Sequence, residues 1–291
     1  MLKENECVKL GNGLYRYRRG LLKKISKKVD FRASTTEYGV LFPALDALIT
    51  ADEYTAGEQF NIRVIFTGEE WTPELKTLTA LAAEHLSYLL HTDIQAEYDI
   101  GDRKIDDIEV VIEVSDIDGA GGVLGSAGPR YLHPDTKLPM TAAARFDIAD
   151  IGHSEPAYVF GVMFHELCHC VGHGPLTKYK NLLHEEDGKA FFTGENAVAA
   201  YQEWCERKGM TPDQRGVPLE NGGGVGTAKA HWSEAIFDKE VMTGYADAGM
   251  YYSDITHASW RDYGYVPRKY FVPFEVVIFT VLEEFWALTH E

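Results

Sequence analysis

Residues 165–174 carry the pattern that most restricts how this chain can fold. His165 and His169 are four residues apart, so an α-helix would place both imidazoles on one face, within reach of a single metal ion. Glu166 follows the first histidine and points into the same open sector of the helix. At about 100° per residue, five apolar side chains fall on the opposite side: Phe160, Met163, Phe164, Leu167 and Val171. The pattern therefore predicts a helix with one face in the core and the other at a metal site.

The flanking residues predict where this helix begins and ends. Ser154 is the expected N-cap, with Glu155 and Pro156 in the first turn, and Gly172 is the expected end. The pattern H-E-x-x-H inside these limits is typical of zinc hydrolases.

A catalytic zinc ion needs a third protein ligand and an open position for water. Three downstream histidines are candidates. His173 directly follows the residue at which the helix is expected to end, and His184 lies in a polar stretch. His231 is farther along the chain and is followed eleven residues later by Met242. The spacing alone leaves the choice among them open.

These residues resemble the metzincin clan of zinc endopeptidases, in which H-E-x-x-H-x-x-G precedes a methionine turn. Most metzincins carry the third histidine ten residues after the first, but Pro175 occupies that position here. The leishmanolysin-like branch carries a long insertion instead, and residues 222–245 are similar to its third-ligand and methionine-turn region. The resemblance implies that His231 is the third ligand and that Met242 is the hydrophobic floor beneath the metal.

The same resemblance implies a zinc-dependent endopeptidase acting on peptide or protein substrates. Zinc held by three neutral imidazoles would activate a water molecule, and Glu166 would be the general base that takes its proton. Tyr245 could donate a hydrogen bond to the oxyanion, although a tyrosine packed in the core is the interpretation that we favour. Two alternatives stay open: a catalytically silent zinc-binding interaction protein, and a zinc hydrolase acting on non-peptide substrates.

The fold implied by the resemblance is α+β, a metzincin-like zincin fold. An arm or pro-region would occupy residues 1–57. An N-terminal catalytic subdomain, with a twisted mixed sheet and the zinc helix, would occupy residues 58–174. A mostly irregular or helical C-terminal subdomain would occupy residues 175–291 and hold the third ligand, the methionine turn and the terminal helices.

Hydrophobic periodicity predicts several individual elements. Residues 60–66 and 108–114 alternate as strands, and an apolar stripe predicts a helix from Thr72 and Pro73 to His91. A further helix is expected over residues 194–204, and the resemblance implies another over residues 255–265, beneath the site. By resemblance, residues 140–147 form an edge strand above the cleft, which could bind an extended peptide through main-chain hydrogen bonds. Residues 271–288 are interpreted as a C-terminal packing element.

The formal net charge of −17 argues against a nucleic-acid partner. The first thirty residues hold nine Lys/Arg against three Asp/Glu and are predicted to form a solvated arm. They lack the apolar region of a signal peptide, and no stretch of the chain has the composition of a transmembrane helix. The sequence alone therefore predicts a cytoplasmic protein, whereas the resemblance implies export or surface association.

Four cysteines give little support for a disulfide framework. Cys168 and Cys170 would face different ways on a helix and should not pair, and Cys168 is expected to be a small buried residue. Cys7 is expected to be a free thiol, because its neighbours lack the motif by which some metzincins place a cysteine on zinc. One catalytic zinc ion is the predicted cofactor. Calcium is compatible with so acidic a chain, but the sequence has no D-x-[DN]-x-[DN]-G loop.

Overall fold

The computed structural model describes residues 7–11, 14–17, 60–91, 93–94, 98–100, 103–224, 226–269, 271 and 274. Near the N-terminus it contains an antiparallel hairpin of β1 (Cys7–Gly11) and β2 (Leu14–Tyr17). Apart from these strands, the predicted arm lies outside the described residues, as does most of the predicted packing element at 271–288. The side chain of Cys7 is also not described, so its expected free thiol stays a prediction.

A four-stranded mixed sheet supports the site. Its strands are β3 (Ile62–Thr67), β6 (Ile108–Ser115), β7 (Gly125–Leu132) and β8 (Pro139–Asp147), in the spatial order β3-β6-β8-β7. β6 is parallel to both β3 and β8, whereas β7 is antiparallel to β8. A short hairpin of β4 (Tyr98–Ile100) and β5 (Arg103–Ile105) precedes β6. The strands predicted at 60–66 and 108–114 correspond to β3 and β6.

β8 is an inner strand, so the prediction of an edge strand at residues 140–147 is wrong. Side chains on both faces of β8 are largely buried, as is typical of a strand that is covered on both sides. The edge strand is β7 instead. Its glycine, alanine and proline content gives it little intrinsic strand preference, which hid it from pattern analysis. Pro129 is tolerated there because an edge strand need not donate from every N–H group.

Two long helices pack against each other and against this sheet. The first is α1 (Pro73–Leu90), which contacts β3. As Thr72 and Pro73 predicted, α1 begins with an N-cap in which the Thr72 hydroxyl accepts a hydrogen bond from the N–H of Leu75 at 3.2 Å. The second, α3 (Pro156–Cys170), contacts β7 and β8 and carries the H-E-x-x-H pattern. The short helix α2 (Ile148–Ile151) leads into it.

The predicted N-cap of the site helix α3 is wrong by one residue. Glu155 occupies the cap position and makes no side-chain cap bond. The hydroxyl of Ser154 donates to the carbonyl of Asp150 instead of capping the helix. The helix ends at Cys170, and Gly172 follows in a turn with a φ of 109°. All five apolar residues expected on the core face are buried, which confirms the predicted orientation of the helix.

After α3, the described residues form three further strands and four further helices. They are α4 (Pro175–Tyr179), β9 (Leu183–Glu186), β10 (Lys189–Phe192), α5 (Glu195–Lys208), β11 (Val217–Pro218), α6 (Glu234–Phe237) and α7 (Asp254–Tyr263). The helices predicted at 194–204 and 255–265 correspond to α5 and α7, which pack together. The antiparallel sheet β11-β10-β9 was not predicted. Asp187 and Gly188 join β9 to β10, both with positive φ, and Asp-Gly is a strong hairpin signal that should have indicated it.

The mixed sheet and its helices confirm the predicted α+β fold class. Cys168, Cys170 and Cys205 are buried and free, so the expectation that Cys168 and Cys170 do not pair is also confirmed. Among the described residues, no helix has the length and apolar character needed to cross a bilayer. The division of the chain at residues 57 and 174 stays a prediction.

Candidate metal centre and active site

Three histidine side chains meet between α3 and the segment that follows β11. The Nε2 atom of His169 lies 2.9 Å from that of His165 and 2.9 Å from that of His231. The Nε2 atoms of His165 and His231 are 3.2 Å apart. Two zinc–nitrogen bonds of about 2.0–2.1 Å at the tetrahedral angle place their nitrogens about 3.3–3.4 Å apart. The three imidazoles are therefore close to the arrangement that one zinc ion requires.

A backbone carbonyl holds the other ring nitrogen of each of these histidines. The Nδ1 acceptors are the carbonyls of Val241 for His165, His173 for His169 and Thr227 for His231, at 2.6, 2.8 and 2.9 Å. Because a carbonyl only accepts, each Nδ1 carries the ring proton and each Nε2 presents a lone pair. Three lone pairs that face one another fit a bound cation, and carbonyl acceptors of this kind are typical around metal-binding histidines.

Burial lowers the pKa of all three histidines. The pKa of His165 falls to about 3, chiefly through burial and secondly through its proximity to His231. Burial also holds the pKa of His169 well below its usual value and lowers that of His231. The imidazoles are therefore neutral at physiological pH, which is the form that binds metal ions.

A tight loop presents His231. The N–H of Glu220 donates to the carbonyl of His231 at 2.9 Å, and the N–H of Lys229 donates to the carbonyl of Glu220 at 2.8 Å. Gly223 and Gly224 lie inside this loop with positive φ, so the chain can turn there without strain. Loop closure, rather than helical spacing, therefore positions this imidazole.

Met242 is fully buried, in a turn beside this loop. Its carbonyl accepts a hydrogen bond from the N–H of Trp232 at 3.0 Å. The preceding carbonyl, of Val241, is the one that holds His165. The methionine turn therefore contacts both the residue after His231 and one histidine of the site helix.

The buried carboxylate of Glu240 organises the methionine turn. Its donors are the N–H of Met242 at 2.6 Å, the N–H and hydroxyl of Ser253 at 3.1 and 2.8 Å, and the hydroxyl of Thr256 at 2.5 Å. The Thr256 oxygen also accepts from the indole N–H of Trp232 at 2.8 Å. Glu240 thus joins the methionine turn, the start of α7 and the residue next to His231.

Glu166 follows His165 on α3 and is only 6% exposed. Its Oε2 atom has no hydrogen-bond partner within the described part of the chain. Burial raises the pKa of Glu166 to about 8, so this carboxyl group can exchange a proton near neutral pH. A cation held by the neighbouring imidazoles would lower that pKa. A buried, unpartnered carboxyl group is costly to maintain and is typical of a functional site.

His173, the nearer alternative as third ligand, does not join the three converging histidines. Its buried ring lies among three aromatic side chains, with centroids 4.9–5.7 Å away: Trp232, Trp260 and Tyr263. Its contribution to the site is the backbone carbonyl that holds His169.

His184, a candidate third ligand, and Tyr245, a candidate oxyanion donor, were also singled out in the sequence. His184 lies on β9, paired with Phe191, and is not part of the histidine cluster. Tyr245 is 57% exposed, so the interpretation of a tyrosine packed in the core is wrong. Its backbone carbonyl accepts a hydrogen bond from the hydroxyl of Thr243 at 3.2 Å.

A model of the leishmanolysin family matches residues 101–281, more than half of the chain. The chain belongs to the leishmanolysin family. This confirms the resemblance inferred from the zinc-helix and methionine-turn residues. Leishmanolysins are zinc metallopeptidases, so membership implies a hydrolase with peptide or protein substrates. His165, His169 and His231 are the residues that could hold the metal, typically zinc in this family. No curated protein matches the chain.

In this leishmanolysin, sequence analysis missed the residues that support the three histidines. The carbonyls of Val241, His173 and Thr227 carry no residue-type signal, because any residue can supply a carbonyl. Glu240 was missed as well, because the burial that obliges its carboxylate to find donors is not visible in the sequence.

Proposed function

We propose that this leishmanolysin is a zinc-dependent endopeptidase in which His165, His169 and His231 are the metal ligands and Glu166 is the general base. The observation that carries the proposal is that three unprotonated Nε2 atoms converge beside α3. This helix also bears the buried carboxyl group of Glu166. Such a set leaves room for one non-protein ligand, as a catalytic zinc site requires. Structural zinc sites, in contrast, usually have four protein ligands and more cysteine.

The chemistry divides between the ion and the side chains. Zinc, when bound, would lower the pKa of a coordinated water to about 7 and polarise the scissile carbonyl. Glu166 takes the proton of the attacking water on its carboxylate and passes it to the leaving amine nitrogen. The imidazoles stay neutral throughout, because their Nδ1 protons are held by the carbonyls of Val241, His173 and Thr227. Met242 closes the apolar floor of the site.

The edge strand β7 is the proposed platform for an extended substrate. β8 pairs with one edge of β7, and no described strand covers the other edge. A peptide could add there through main-chain hydrogen bonds, which suits an enzyme that accepts varied side chains. Gly125, the first residue of β7, lies against the carboxylate of Glu166, so this edge leads to the proposed base. Tyr245 is the proposed donor to the oxyanion, supported by its exposure after the methionine turn.

The variant Glu166→Ala tests this function. We expect it to retain zinc, because the three imidazoles are unchanged, and to lose peptide hydrolysis by about 10²- to 10⁴-fold, the usual contribution of a general base. The matched control is Glu155→Ala, the same change at the exposed N-cap residue that precedes the same helix and makes no side-chain cap bond, which should retain activity. Zinc content and cleavage of a quenched peptide, with and without chelator, are the measurements.

Each alternative function predicts a different result in this experiment. Full activity in Glu166→Ala would refute the role of the base. A wild-type protein that binds zinc but cleaves no peptide would be a silent binding protein if it also failed on a panel of lipids and amides. Activity on that panel alone would favour a hydrolase with a non-peptide substrate.

A further inference from the structure

The first residue of the edge strand lies unusually close to the proposed base. Gly125 begins β7 and pairs with Phe146 of β8. A methyl group built on Gly125 would lie 2.9 Å from Oε1 and 3.1 Å from Cδ of Glu166. It would also lie 3.1 Å from the carbonyl oxygen of Arg145. Side-chain carbons do not approach other atoms to 2.9 Å, so only glycine fits here while Glu166 keeps its position.

The requirement for glycine comes from space and not from backbone conformation. Gly125 does not have a positive φ, so an alanine could adopt its backbone angles. Gly128, three residues later on the same strand, differs in this respect. A methyl group at Gly128 would meet only Cγ of Pro175 at 3.9 Å, an ordinary van der Waals contact. A methyl group at position 125 would therefore collide with Glu166, whereas one at position 128 would not.

The backbone at Gly125 is fixed, whereas the carboxylate of Glu166 is not. The carbonyl of Leu124 accepts a hydrogen bond from the N–H of Asp147 at 3.0 Å, and β7 then follows its register with β8. Glu166 reaches this strand with the end of a flexible side chain, and its Oε2 has no partner within the described part of the chain. A substituent at position 125 would therefore displace the carboxylate, whereas the β8 backbone at the Arg145 carbonyl, 3.1 Å away, would have to give by only a few tenths of an ångström.

We propose that Gly125 is a positioning residue for Glu166: the space left by its missing side chain determines where the carboxylate lies against the edge strand. This rests on the proposed function insofar as Glu166 is the base. In that role, a displacement of about 1 Å is enough to lower the rate by about 100-fold. In this proposal Gly125 acts on the reaction through the position of Glu166.

The test compares Gly125→Ala with Gly128→Ala in the full-length zinc-loaded protein. We expect Gly125→Ala to lower kcat by about 10- to 100-fold, with KM within about twofold and with unchanged zinc content. Because Gly128 lies on the same proposed platform, Gly128→Ala measures what an added methyl group on β7 does to substrate binding by itself, and it should lower kcat by less than Gly125→Ala does. Crystal structures of both variants should show the Glu166 carboxylate displaced by more than about 0.5 Å in the first variant and in its original position in the second.

A second background separates positioning from damage to the substrate platform. Glu166→Asp shortens the side chain by one methylene and so relieves the contact with an added methyl group. In that background, we expect Gly125→Ala to change kcat by less than about threefold. An equal loss of kcat in both backgrounds would instead mean that the methyl group disturbs substrate binding along β7, and would overturn the inference.

Two further results would also overturn it: an unmoved carboxylate in the Gly125→Ala crystal structure, or equal kcat losses in the two glycine variants. Failure of the proposed function is a separate result. If the wild-type protein shows no chelator-sensitive hydrolysis, the crystallographic comparison still decides whether Gly125 positions Glu166.

Discussion

The two halves of the candidate metal centre are built in different ways. His165 and His169 stand on α3, where the helical repeat and a buried apolar face fix their relative position. His231 stands in a loop, where closure by Glu220 and the network of Glu240 fix it. The helical half depends on many small, redundant contacts, whereas the loop half depends on a few polar groups that must each be satisfied.

This difference teaches where the site is vulnerable. In the helix, loss of one apolar contact leaves the backbone hydrogen bonds and the spacing of the two histidines intact. In the loop, loss of one acceptor leaves several buried donors without a partner, and each of these costs free energy. Substitutions that keep size but change polarity should therefore harm the loop half far more than the helical half.

The largest expected effect is the loss of metal from His231→Ala. Removing a residue that only hydrogen-bonds a metal ligand typically lowers metal affinity by about 10- to 100-fold. This variant should lower zinc affinity by more than that, because it removes one of the three proposed ligand nitrogens. The control is His173→Ala, which removes a buried ring but keeps the carbonyl that holds His169. It should lose stability through the cavity and still bind zinc. Metal analysis after dialysis distinguishes them, and loss of zinc only in the His173 variant would overturn the ligand assignment.

Glu240→Gln tests the polar construction of the loop half. The amide NH₂ would face either the N–H of Met242 or the hydroxyls of Ser253 and Thr256, all of which donate to Glu240. We expect the free energy of unfolding to fall by about 2–4 kcal/mol and zinc affinity by about 10-fold. Denaturant unfolding and chelator competition measure these. Glu206→Gln, the same change at an exposed position of α5, should be nearly neutral. Equal stability of the two variants would contradict the network.

The same contrast explains how much of the site the sequence could predict. The spacing of His165 and His169, with the opposed apolar face, is sufficient to place both on one helix. His231 lies 62 residues after His169 and has no local pattern, so it could be assigned only through the family resemblance. Its carbonyl partner at Thr227 has no sequence signal at all, because any residue supplies a carbonyl.

The strands follow a similar rule. β3 and β6 were predictable because β-branched residues alternate or cluster in them. β7 and β8 are rich in small residues, which fit close to the site helix but carry little strand preference. The edge position was therefore assigned to β8 instead of β7, because neither sequence indicates which strand lies beside it in the sheet. Close approach to the functional helix thus removed the signal that would have identified the strands.

Gly174→Ala tests the junction between the two halves. Gly174 follows the site helix and has a φ of 82°, and a methyl group there would collide with the carbonyl oxygen of Ala230, next to His231. Gly209→Ala is the matched control, because Gly209 also has a positive φ (66°) but open space around it. We expect Gly174→Ala to cost about 1–3 kcal/mol more than the control, the usual penalty of overpacking. Equal losses in unfolding free energy would mean that backbone conformation, and not contact between the halves, explains the glycine.

The smallest effect is expected from Asp147→Asn. This substitution tests whether a second loop, at residues 117–119, depends on one buried carboxylate as the His231 loop does. The carboxylate of Asp147 accepts hydrogen bonds from the N–H groups of Ile117, Asp118, Gly119 and Ala149. These bonds, led by that of Asp118, lower the pKa of Asp147. A carboxylate with a lowered pKa in the folded state adds stability above its unfolded pKa of about 3.9, and that stability is lost as pH falls through the folded value. Asp147→Asn should therefore melt at a lower temperature than the wild type at pH 7.

The difference between Asp147→Asn and the wild type should narrow as the pH falls toward about 3, because the wild-type carboxylate then takes up a proton and loses its advantage. Asp150→Asn is the control, since Asp150 accepts a backbone hydrogen bond from Gly121 in the same loop but shares none of the four donors of Asp147. Thermal melts at several pH values give the measurement. A gap between Asp147→Asn and the wild type that stays constant with pH would mean that the carboxylate acts through its shape and not its charge, and that the two loops are built on different principles.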